Sequence, residues 1–324
     1  MSTVRVGVIG TGFGARVMAP TFAEAGCDVV DVVSARDIAA VAGLCRRQLD
    51  LVSVHSPPFL HATHVGMALD AGRAVLCDKP FGRSAAEAAS MVDAAAQVGV
   101  VNLVNFEFRH EPARLRLKEL IDGGAIGRPE HLEWTALNSG SRVPLRRSGW
   151  LFERAAGGGW IGAWGSHAVD AIRWLLGEVT AAGARCRVTI PERPDADGVM
   201  HPCDAEDAFT AWLALESGAG AAIDTTFAAA ATVPTRLVIA GSEGVVDVTN
   251  DRRIVLRRLD GTREESEVAA RRGDPHAGAM RRWVDVVCEA VAAGEQITPS
   301  FADGLACALV LDAFRSGWPG HDPS

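Results

Sequence analysis

The sequence is most informative at first for what it does not contain. Its 324 residues include no tyrosine, which is one of the side chains that enzymes use to transfer protons, so acid–base chemistry would have to come from other residues. It contains no apolar run of the roughly 18 residues that a membrane-spanning helix needs. It also lacks an excess of positive charge: the net charge is −8, which argues against a nucleic-acid partner. We therefore expect a protein that binds neither membranes nor nucleic acids.

Cysteine is present without the spacing that zinc sites or disulfide frameworks show. The seven cysteines are odd in number and form no C-x-x-C pair. The first residues run directly into an apolar strand and a glycine turn, without the layout of a signal peptide. We expect reduced, mostly structural cysteines in a cytoplasmic protein.

The first third of the chain alternates short apolar strands with helical segments. This alternation predicts a doubly wound parallel sheet, a Rossmann-like α/β fold. The predicted strands cover residues 4–9, 28–34, 51–55, 74–80 and 100–106.

The pattern changes after residue 110. From about 180 to 260 apolar residues alternate with polar ones, which indicates a mainly antiparallel open sheet. Helices are predicted over 112–122, 167–176, 277–293 and 301–315. The predicted organisation is a nucleotide-binding domain over 1–110 and an α+β substrate and oligomerisation domain over 111–324, with the last helix able to pack back on the first domain.

A glycine turn follows the first strand and opens a helix. The residues Gly10, Thr11, Gly12, Phe13, Gly14 and Ala15 form a G-x-G-x-x-A pattern. The first glycine permits the tight turn, the second lets the backbone approach a pyrophosphate, and the small sixth residue lets helix and strand pack closely. The pattern predicts dinucleotide binding; the alternative is a glycine turn that binds nothing.

The residues at the end of the second predicted strand indicate whether NAD or NADP is preferred. An acidic residue there would bind the ribose 2′-hydroxyl of NAD, whereas an arginine suits the 2′-phosphate of NADP. Ser34 and Arg36 favour NADP slightly, while Asp37 leaves NAD open.

Lys79 ends a predicted strand, within Asp78-Lys79-Pro80. Ligands of open α/β sheets bind outside those strand ends, where an ammonium group can hold a substrate oxygen; the alternative is a surface lysine before a turn. Pro80 stiffens the turn and is a candidate for a cis peptide bond. His61 and His64, three residues apart on a helix, lack nearby partner ligands, so we expect packing residues and no metal site.

Four segments of this sequence resemble the glucose–fructose oxidoreductase / inositol dehydrogenase / MocA (Gfo/Idh/MocA) family. The segments are HSPPFLHATHVGMALDAGRAVLCDKP, NFEFRHEPARLRLKELIDGGAIGRP, GGGWIGAWGSHAVD and SFADGLACALVLDAF, at 55–80, 105–129, 157–170 and 300–314. They cover much of the chain and are specific for the family and the fold, but not for the substrate.

The resemblance implies an NAD(P)-dependent enzyme that moves a hydride between the nicotinamide and a secondary alcohol carbon, often of a sugar or cyclitol. It implies that Lys79 binds the reacting oxygen and that His167 is the general acid/base, although His167 alone could equally be a capping or packing residue. It adds the cofactor candidates Ser56, Pro57, Pro58, His61, Asp78 and Lys79. It adds the substrate candidates Glu107, Arg109, Trp150, Trp160, Trp164 and His167.

Two departures from the family pattern stand out. The family usually has an aspartate four residues before the histidine, where this chain has Ala163. This puts alcohol oxidation by the usual route in doubt, while Asp170 remains and is expected to face the fold. The segment between the second strand and LVSVH is short, so the nucleotide domain is expected to lack one βα unit near the adenosine end.

The leading hypothesis is an NAD(P)-dependent dehydrogenase or reductase acting on a polar, polyhydroxylated small molecule. Because tyrosine is absent, the tyrosine-based routes of short-chain dehydrogenases and aldo-keto reductases are closed, and Lys79 with His167 is the remaining pair. The alternatives are a reductase of a C=N or C=C bond, a non-catalytic cofactor-sensing regulatory protein, and an assembly protein with a vestigial site. We expect a homo-oligomer, a dimer or tetramer, formed through the second sheet.

Overall fold

The computed structural model describes residues 3–269 and 277–317. The chain divides into two compact units. Unit 1 comprises Met1–Glu107, Ala155–Gly157 and Gly273–Leu309, and unit 2 comprises Phe108–Arg154, Gly158–Arg272 and Val310–Ser324.

The helices and strands are numbered in chain order. The helices are α1 (Ala19–Glu24), α2 (Ile38–Cys45), α3 (His61–Asp70), α4 (Ala85–Val98), α5 (Pro112–Asp122), α6 (Ser166–Leu176), α7 (Ala277–Ala293) and α8 (Phe301–Ser316). The strands are β1 (Arg5–Ile9), β2 (Asp28–Val33), β3 (Leu51–Val54), β4 (Ala74–Cys77), β5 (Asn102–Val104), β6 (Pro129–Leu137), β7 (Val179–Arg187), β8 (Glu192–Pro194), β9 (Met200–Pro202), β10 (Ala208–Leu215), β11 (Gly220–Thr226), β12 (Arg236–Gly241), β13 (Gly244–Thr249), β14 (Arg253–Arg258) and β15 (Arg263–Glu267).

Unit 1 is built on a parallel sheet with strand order β2-β1-β3-β4-β5. Every residue of β3 and β4 is buried, as expected for parallel strands that are covered on both faces. The chain leaves β1 toward β2 on one side and continues with β3 on the other, so the switch point of the topology lies at the carboxyl ends of β1 and β3. The predicted Rossmann-like fold is confirmed.

The shortened segment leads from β2 through α2 directly to β3. Asp37 caps α2, because its Oδ1 accepts a hydrogen bond from the amide of Ala40 at 2.9 Å. No described strand pairs with the outer side of β2, which leaves β2 at the edge of the sheet. The five strands agree with the predicted lack of one βα unit.

Unit 1 also includes α7, although α7 lies in the last sixth of the sequence. Met280, Val284 and Val287 of α7 are fully buried in the same apolar core as Val6 and Leu76 of the parallel sheet. A single boundary near residue 110 therefore does not describe the compact units, because the core of unit 1 is completed by a segment from the end of the chain.

Unit 2 carries an eight-stranded sheet with order β15-β14-β13-β12-β6-β11-β10-β7. All neighbouring pairs are antiparallel except β6 and β11, which are parallel. Phe209 and Ala211 of β10 are buried while Trp212, between Ala211 and the buried Leu213, is 55% exposed, so this part of the sheet has one covered and one open face. The predicted mainly antiparallel sheet is confirmed.

Helix α6 is the buried helix of unit 2. Ten of its eleven residues are buried, from Ser166 to Leu176 with the exception of Trp174. It begins directly after one π-helical turn, Ile161–Gly165, and ends at Gly177, whose φ of 99° requires glycine. Polar side chains on this helix are consequently held away from water. Among residues 3–269 and 277–317, no helix combines the length and apolar character that a membrane crossing requires.

Candidate active site

The glycine turn after β1 has the shape of a phosphate cradle. Gly10 has φ +127°, and a Cβ on it would lie 2.5 Å from the carbonyl oxygen of His55, so only glycine is accommodated. A Cβ on Gly14 would lie 3.1 Å from Val8 Cγ1, which reflects the close approach of helix and strand. A Cβ on Gly12 would meet no atom within 4 Å. The backbone at Gly12 therefore faces open space that a pyrophosphate can enter, so these residues fit a dinucleotide.

The rest of this turn is accessible as well. Thr11 is exposed, and Phe13 and Ala15 are half-buried. Gly14 begins a π-helical turn that continues into α1, so the predicted helix at this point exists.

The end of β2 presents Ser34 and Arg36. The Ser34 hydroxyl accepts a hydrogen bond from the Arg36 amide at 3.3 Å, and the Arg36 side chain is exposed. Asp37, the nearby acidic residue that the sequence analysis considered compatible with NAD, uses a carboxylate oxygen to cap α2. The helix cap is thus made by Asp37, and the exposed Arg36 lies directly before it in the chain.

The connection from β3 to α3 is fastened by two histidines. Both ring nitrogens of the fully buried His61 contact backbone carbonyl oxygens, Nε2 that of Ser56 at 2.8 Å and Nδ1 that of Pro80 at 3.1 Å. Burial lowers the pKa of His61. His64 Nδ1 lies 3.0 Å from the Ser56 hydroxyl, and burial, followed by the charge of His61, lowers the pKa of His64 to about 4.

These contacts give the predicted cofactor candidates different environments. Ser56 and Pro58 are buried and Pro57 is half-buried, so this short connection presents little side chain to solvent. His61 acts as a brace that joins the connection after β3 to the turn after β4. Within the part of the chain that the structure describes, no three His, Cys, Asp or Glu side chains are grouped to hold a metal ion.

The turn after β4 fixes Lys79 at the carboxyl end of the sheet. Asp78 Oδ1 accepts hydrogen bonds from the Lys79 amide at 2.9 Å and from Asn105 Nδ2 at 3.4 Å. The Lys79–Pro80 peptide bond is cis, and Lys79 itself is half-buried. Because β1, β3 and β4 are parallel neighbours, this turn and the connection after β3 lie at the same sheet edge as the glycine cradle.

His55 is a residue of this edge that the sequence interpretation missed. Its buried ring lies between Ser53 Oγ, 2.7 Å from Nε2, and Asp78 Oδ2, 3.2 Å from Nδ1. Burial alone would raise the pKa of Asp78, but the hydrogen bond and charge of His55, followed by the charge of Lys79, lower it to about 2. His55 follows β3 directly, so the strand-end rule that selected Lys79 would have selected it too.

In unit 2, the structure brings His167 and Phe108 together. His167 lies in the first turn of α6, is 3% exposed, and has its ring centroid 4.2 Å from that of Phe108. The imidazole is therefore held against an aromatic ring and away from water.

Arg109, predicted to line the substrate pocket, forms a buried ion pair with Asp170. Its Nε donates to Oδ2 at 2.9 Å and its Nη2 donates to Oδ1 at 2.5 Å. The two side chains are 7% and 3% exposed. Asp170 lies three residues after His167 on α6, and Arg109 directly follows Phe108, so the ion pair fixes the two backbones that carry the ring contact. Asp170 faces the fold, as the sequence indicated.

The three tryptophans predicted to line the substrate pocket have different environments. Trp160 stacks on Phe227 at 4.2 Å and 4° and donates from Nε1 to Thr225 Oγ1 at 2.9 Å. Trp164 lies parallel to Trp160 with centroids 6.0 Å apart. Trp150 is 38% exposed, in a short turn of its own.

Ala163 lies in the π-helical turn before α6 and is half-buried. It precedes His167 by one helical turn, on the face of the turn where the family aspartate would stand. Glu107, a predicted substrate contact, is 2% exposed and belongs to unit 1. The roles of these residues, like those of Lys79 and His167, stay predictions.

Comparison with known proteins agrees with this geometry. A sequence model described as "Oxidoreductase family, NAD-binding Rossmann fold" matches residues 28–106, and one described as "GFO/IDH/MocA C-terminal domain" matches residues 115–247. The chain is 29% identical over 299 residues to a levoglucosan dehydrogenase of Pseudarthrobacter phenanthrenivorans, covering 82% of this chain and 77% of that protein.

Two further similarities extend over nearly the full length. An inositol 2-dehydrogenase of Saccharopolyspora erythraea is 26% identical over 336 residues, which covers 97% of this chain and 94% of that protein. The solved structure of a levoglucosan dehydrogenase in complex with NADH and levoglucosan has the same fold, with a TM-score of 0.87, 24% identity, and coverage of 98% of this chain and 97% of that one. The chain is therefore a member of the Gfo/Idh/MocA family of NAD-binding oxidoreductases.

Proposed function

We propose that this enzyme transfers a hydride between a bound nicotinamide and a secondary alcohol or ketone carbon of a polar, polyhydroxylated small molecule. The observation that carries the proposal is the braced Lys79 turn at the carboxyl end of β4. Asp78, His55 and His61 hold that turn at the same sheet edge as the glycine cradle. Relatives that dehydrogenate levoglucosan and inositol support the substrate class.

The cofactor would be held by the cradle and by the ends of β2 and β3. Open space at Gly12 admits the pyrophosphate, and Ser34 with Arg36 favours NADP over NAD. When bound, the nicotinamide supplies or accepts the hydride. NADH is the nucleotide named in the complex of the structurally similar levoglucosan dehydrogenase, so the NADP preference is tested by measuring KM for both cofactors.

Lys79 would bind the reacting oxygen, and His167 would transfer the proton. The Lys79 ammonium would hold the reacting oxygen and lower the pKa of an alcohol at that position. His167 would remove the hydroxyl proton or return it, a task that suits an imidazole at neutral pH. The Arg109–Asp170 pair would keep His167 in place on α6.

Ala163 favours a second candidate, a cofactor-sensing protein without turnover. The family aspartate at this position would orient substrate and proton, and a methyl group can do neither. Lys79 and His167 are both retained, which favours catalysis.

The test compares Lys79→Ala with a matched control, Lys118→Ala. Lys118 is a half-buried lysine on α5 that pairs with Asp122 and lies outside the proposed site. Turnover is measured with levoglucosan, inositols and other sugars, and cofactor binding by titration of the nucleotide fluorescence. We expect Lys79→Ala to lose turnover by about 100-fold or more with cofactor affinity retained, and Lys118→Ala to match the wild type.

Two outcomes would contradict the proposal. Unchanged turnover in Lys79→Ala would remove that residue from the chemistry. Tight cofactor binding by the wild type without turnover of any substrate would favour the sensing protein.

The expected homo-oligomer through the open face of the unit 2 sheet, and the cytoplasmic location, stay predictions. Light scattering checks the first: a wild-type dimer or tetramer that Trp212→Lys converts to monomer would support it, because Trp212 stands on the open face.

A further inference from the structure

Two half-buried cysteines from opposite ends of the sequence meet in unit 1. Cys27 lies in the turn between α1 and β2, and Cys288 lies on α7. Their Sγ atoms are 3.0 Å apart, whereas a disulfide bond is about 2.05 Å long, so closing it requires a movement of about 1 Å. Both belong to the same compact unit.

The approach of the two thiols is held by contacts on either side. Arg281 of α7 donates from Nη1 to Glu24 Oε2 at 2.9 Å and from Nη2 to the Glu24 carbonyl oxygen at 2.7 Å. Arg281 and Cys288 are seven residues apart and therefore lie on the same face of α7. On the other side, the Cys27 amide donates to the Phe22 carbonyl oxygen at 3.0 Å, which fixes the turn after α1.

The other cysteines are in a different situation. Cys45, Cys77, Cys186, Cys203 and Cys307 are buried, whereas Cys27 and Cys288 are partly accessible. A small reagent in solution therefore meets the two neighbouring thiols before it meets the others.

We propose that Cys27 and Cys288 are a redox modification site, which a small-molecule disulfide converts to an intramolecular disulfide bond and a thiol reductant restores. One cysteine thiolate attacks the reagent R–S–S–R, forms a mixed disulfide and releases one R–S⁻, which takes a proton. The second cysteine then attacks the protein sulfur of the mixed disulfide and releases the second R–SH. The two protein thiols lose two electrons and two protons, and the reagent gains both.

Burial raises the pKa of both thiols, so a higher pH, which increases the thiolate fraction, is expected to speed the exchange. The two sulfur atoms share one hydrogen bond in which either can be the donor. Either cysteine can therefore make the first attack, and the other resolves the mixed disulfide.

The bond would join two segments of a discontinuous unit. Unit 1 consists of Met1–Glu107, the short stretch Ala155–Gly157 and the returning segment Gly273–Leu309, which contains α7. A covalent link between these segments restricts the unfolded chain, because it closes a very long loop. Oxidation is therefore expected to stabilise unit 1 against loss of α7.

The experiment treats the full-length protein with oxidised glutathione and counts free thiols after denaturation. The wild type is expected to fall from seven thiols to five without a retained glutathione, peptide mapping is expected to show Cys27 joined to Cys288, and dithiothreitol is expected to restore all seven. The oxidised protein is expected to melt about 5 °C higher than the reduced one.

Variants separate this pair from other thiols. Cys288→Ser and Cys27→Ser are each expected to keep one glutathione on the remaining cysteine of the pair and to form no disulfide, and the control Cys45→Ser to form the disulfide as the wild type does. Seven free thiols in the oxidised wild type, a disulfide between other cysteines, or a stable glutathione adduct on both residues would overturn the proposal.

Discussion

The buried ion pair of Arg109 and Asp170 lets the stability of unit 2 be tested quantitatively. We consider Arg109→Met, Asp170→Leu and the double variant. Each single variant removes one charge and leaves the other in a site where the partner side chains are 7% and 3% exposed. The double variant removes both charges of the pair and replaces them by apolar side chains of similar size.

The expected magnitudes follow from burial. At an effective dielectric constant of about 20, unit charges 4 Å apart attract by about 4 kcal/mol, and removal from water cancels most of this gain. A single variant loses the attraction but keeps the desolvated charge, so its free energy of unfolding should fall by about 3–5 kcal/mol. The double variant avoids that uncompensated charge and should lose less than either single variant.

Urea unfolding monitored by tryptophan fluorescence suits this measurement. Among residues 3–269 and 277–317, six of the seven tryptophans lie in unit 2, so the signal from these residues reports mainly on that unit; they are Trp134, Trp150, Trp160, Trp164, Trp174 and Trp212. Arg116→Met is the control, since Arg116 pairs with Glu119 at the surface of α5 with both side chains about half exposed, and it should cost less than about 1 kcal/mol. The reasoning is refuted if Arg109→Met costs no more than Arg116→Met, or if the loss in the double variant equals the sum of the single losses.

Three further predictions concern unit 1. Gly12→Ala should raise the dissociation constant for NAD(P) by about tenfold or more, because the added Cβ would occupy the space proposed for the ligand. The same variant should change the free energy of unfolding by less than about 0.5 kcal/mol. The control is Gly66→Ala in α3, where a Cβ also meets nothing within 4 Å, and it should leave the dissociation constant unchanged. His64, with its pKa lowered from 6.5 to about 4, stays neutral in the folded protein while the unfolded chain takes up a proton. The wild type should therefore lose roughly 3 kcal/mol relative to His64→Gln as the pH falls from 6.5 to 4, measured by urea unfolding across that range; parallel pH curves would exclude this. Ser84→Ala should lower the free energy of unfolding by about 1 kcal/mol in the same assay, because the Ser84 hydroxyl caps α4 by accepting a hydrogen bond from the Glu87 amide at 3.2 Å. A smaller decrease than that caused by replacing an exposed serine, such as Ser90, with alanine would contradict this prediction.

Much of the fold could be predicted from periodicity and glycine placement. The spacing of apolar residues predicts a helix over 277–293, and α7 has those bounds, because its buried residues recur at helical spacing. The parallel pairing of β6 with β11 could not be predicted, since it joins strands more than 80 residues apart and leaves no local pattern. The same holds for the return of α7 to the core of unit 1.

The candidate site was predictable as a set of strand ends, but not as a set of contacts. Lys79 was identified because it ends a strand, whereas the ring of His55 takes its importance from Asp78, which is 23 residues away and which only the folded sheet brings near. Arg109 was expected to contact substrate, but its bidentate bond to Asp170 depends on two elements 61 residues apart. Long-range pairing of charges is decided by packing, which a single sequence does not display.

The edge strand β2 has a consequence for the behaviour of the protein at high concentration. Its sequence, Asp28-Val29-Val30-Asp31-Val32-Val33, would be a valine run without the two aspartates. Asp28 and Asp31 pair with Arg5 and Arg47 and are 55% and 38% exposed, so they place charge along an uncovered row of backbone hydrogen-bonding groups. Charged side chains on such an edge discourage the sheets of separate molecules from joining into aggregates. Because β2 has no described neighbour on its outer side, these two aspartates are expected to limit self-association through this sheet.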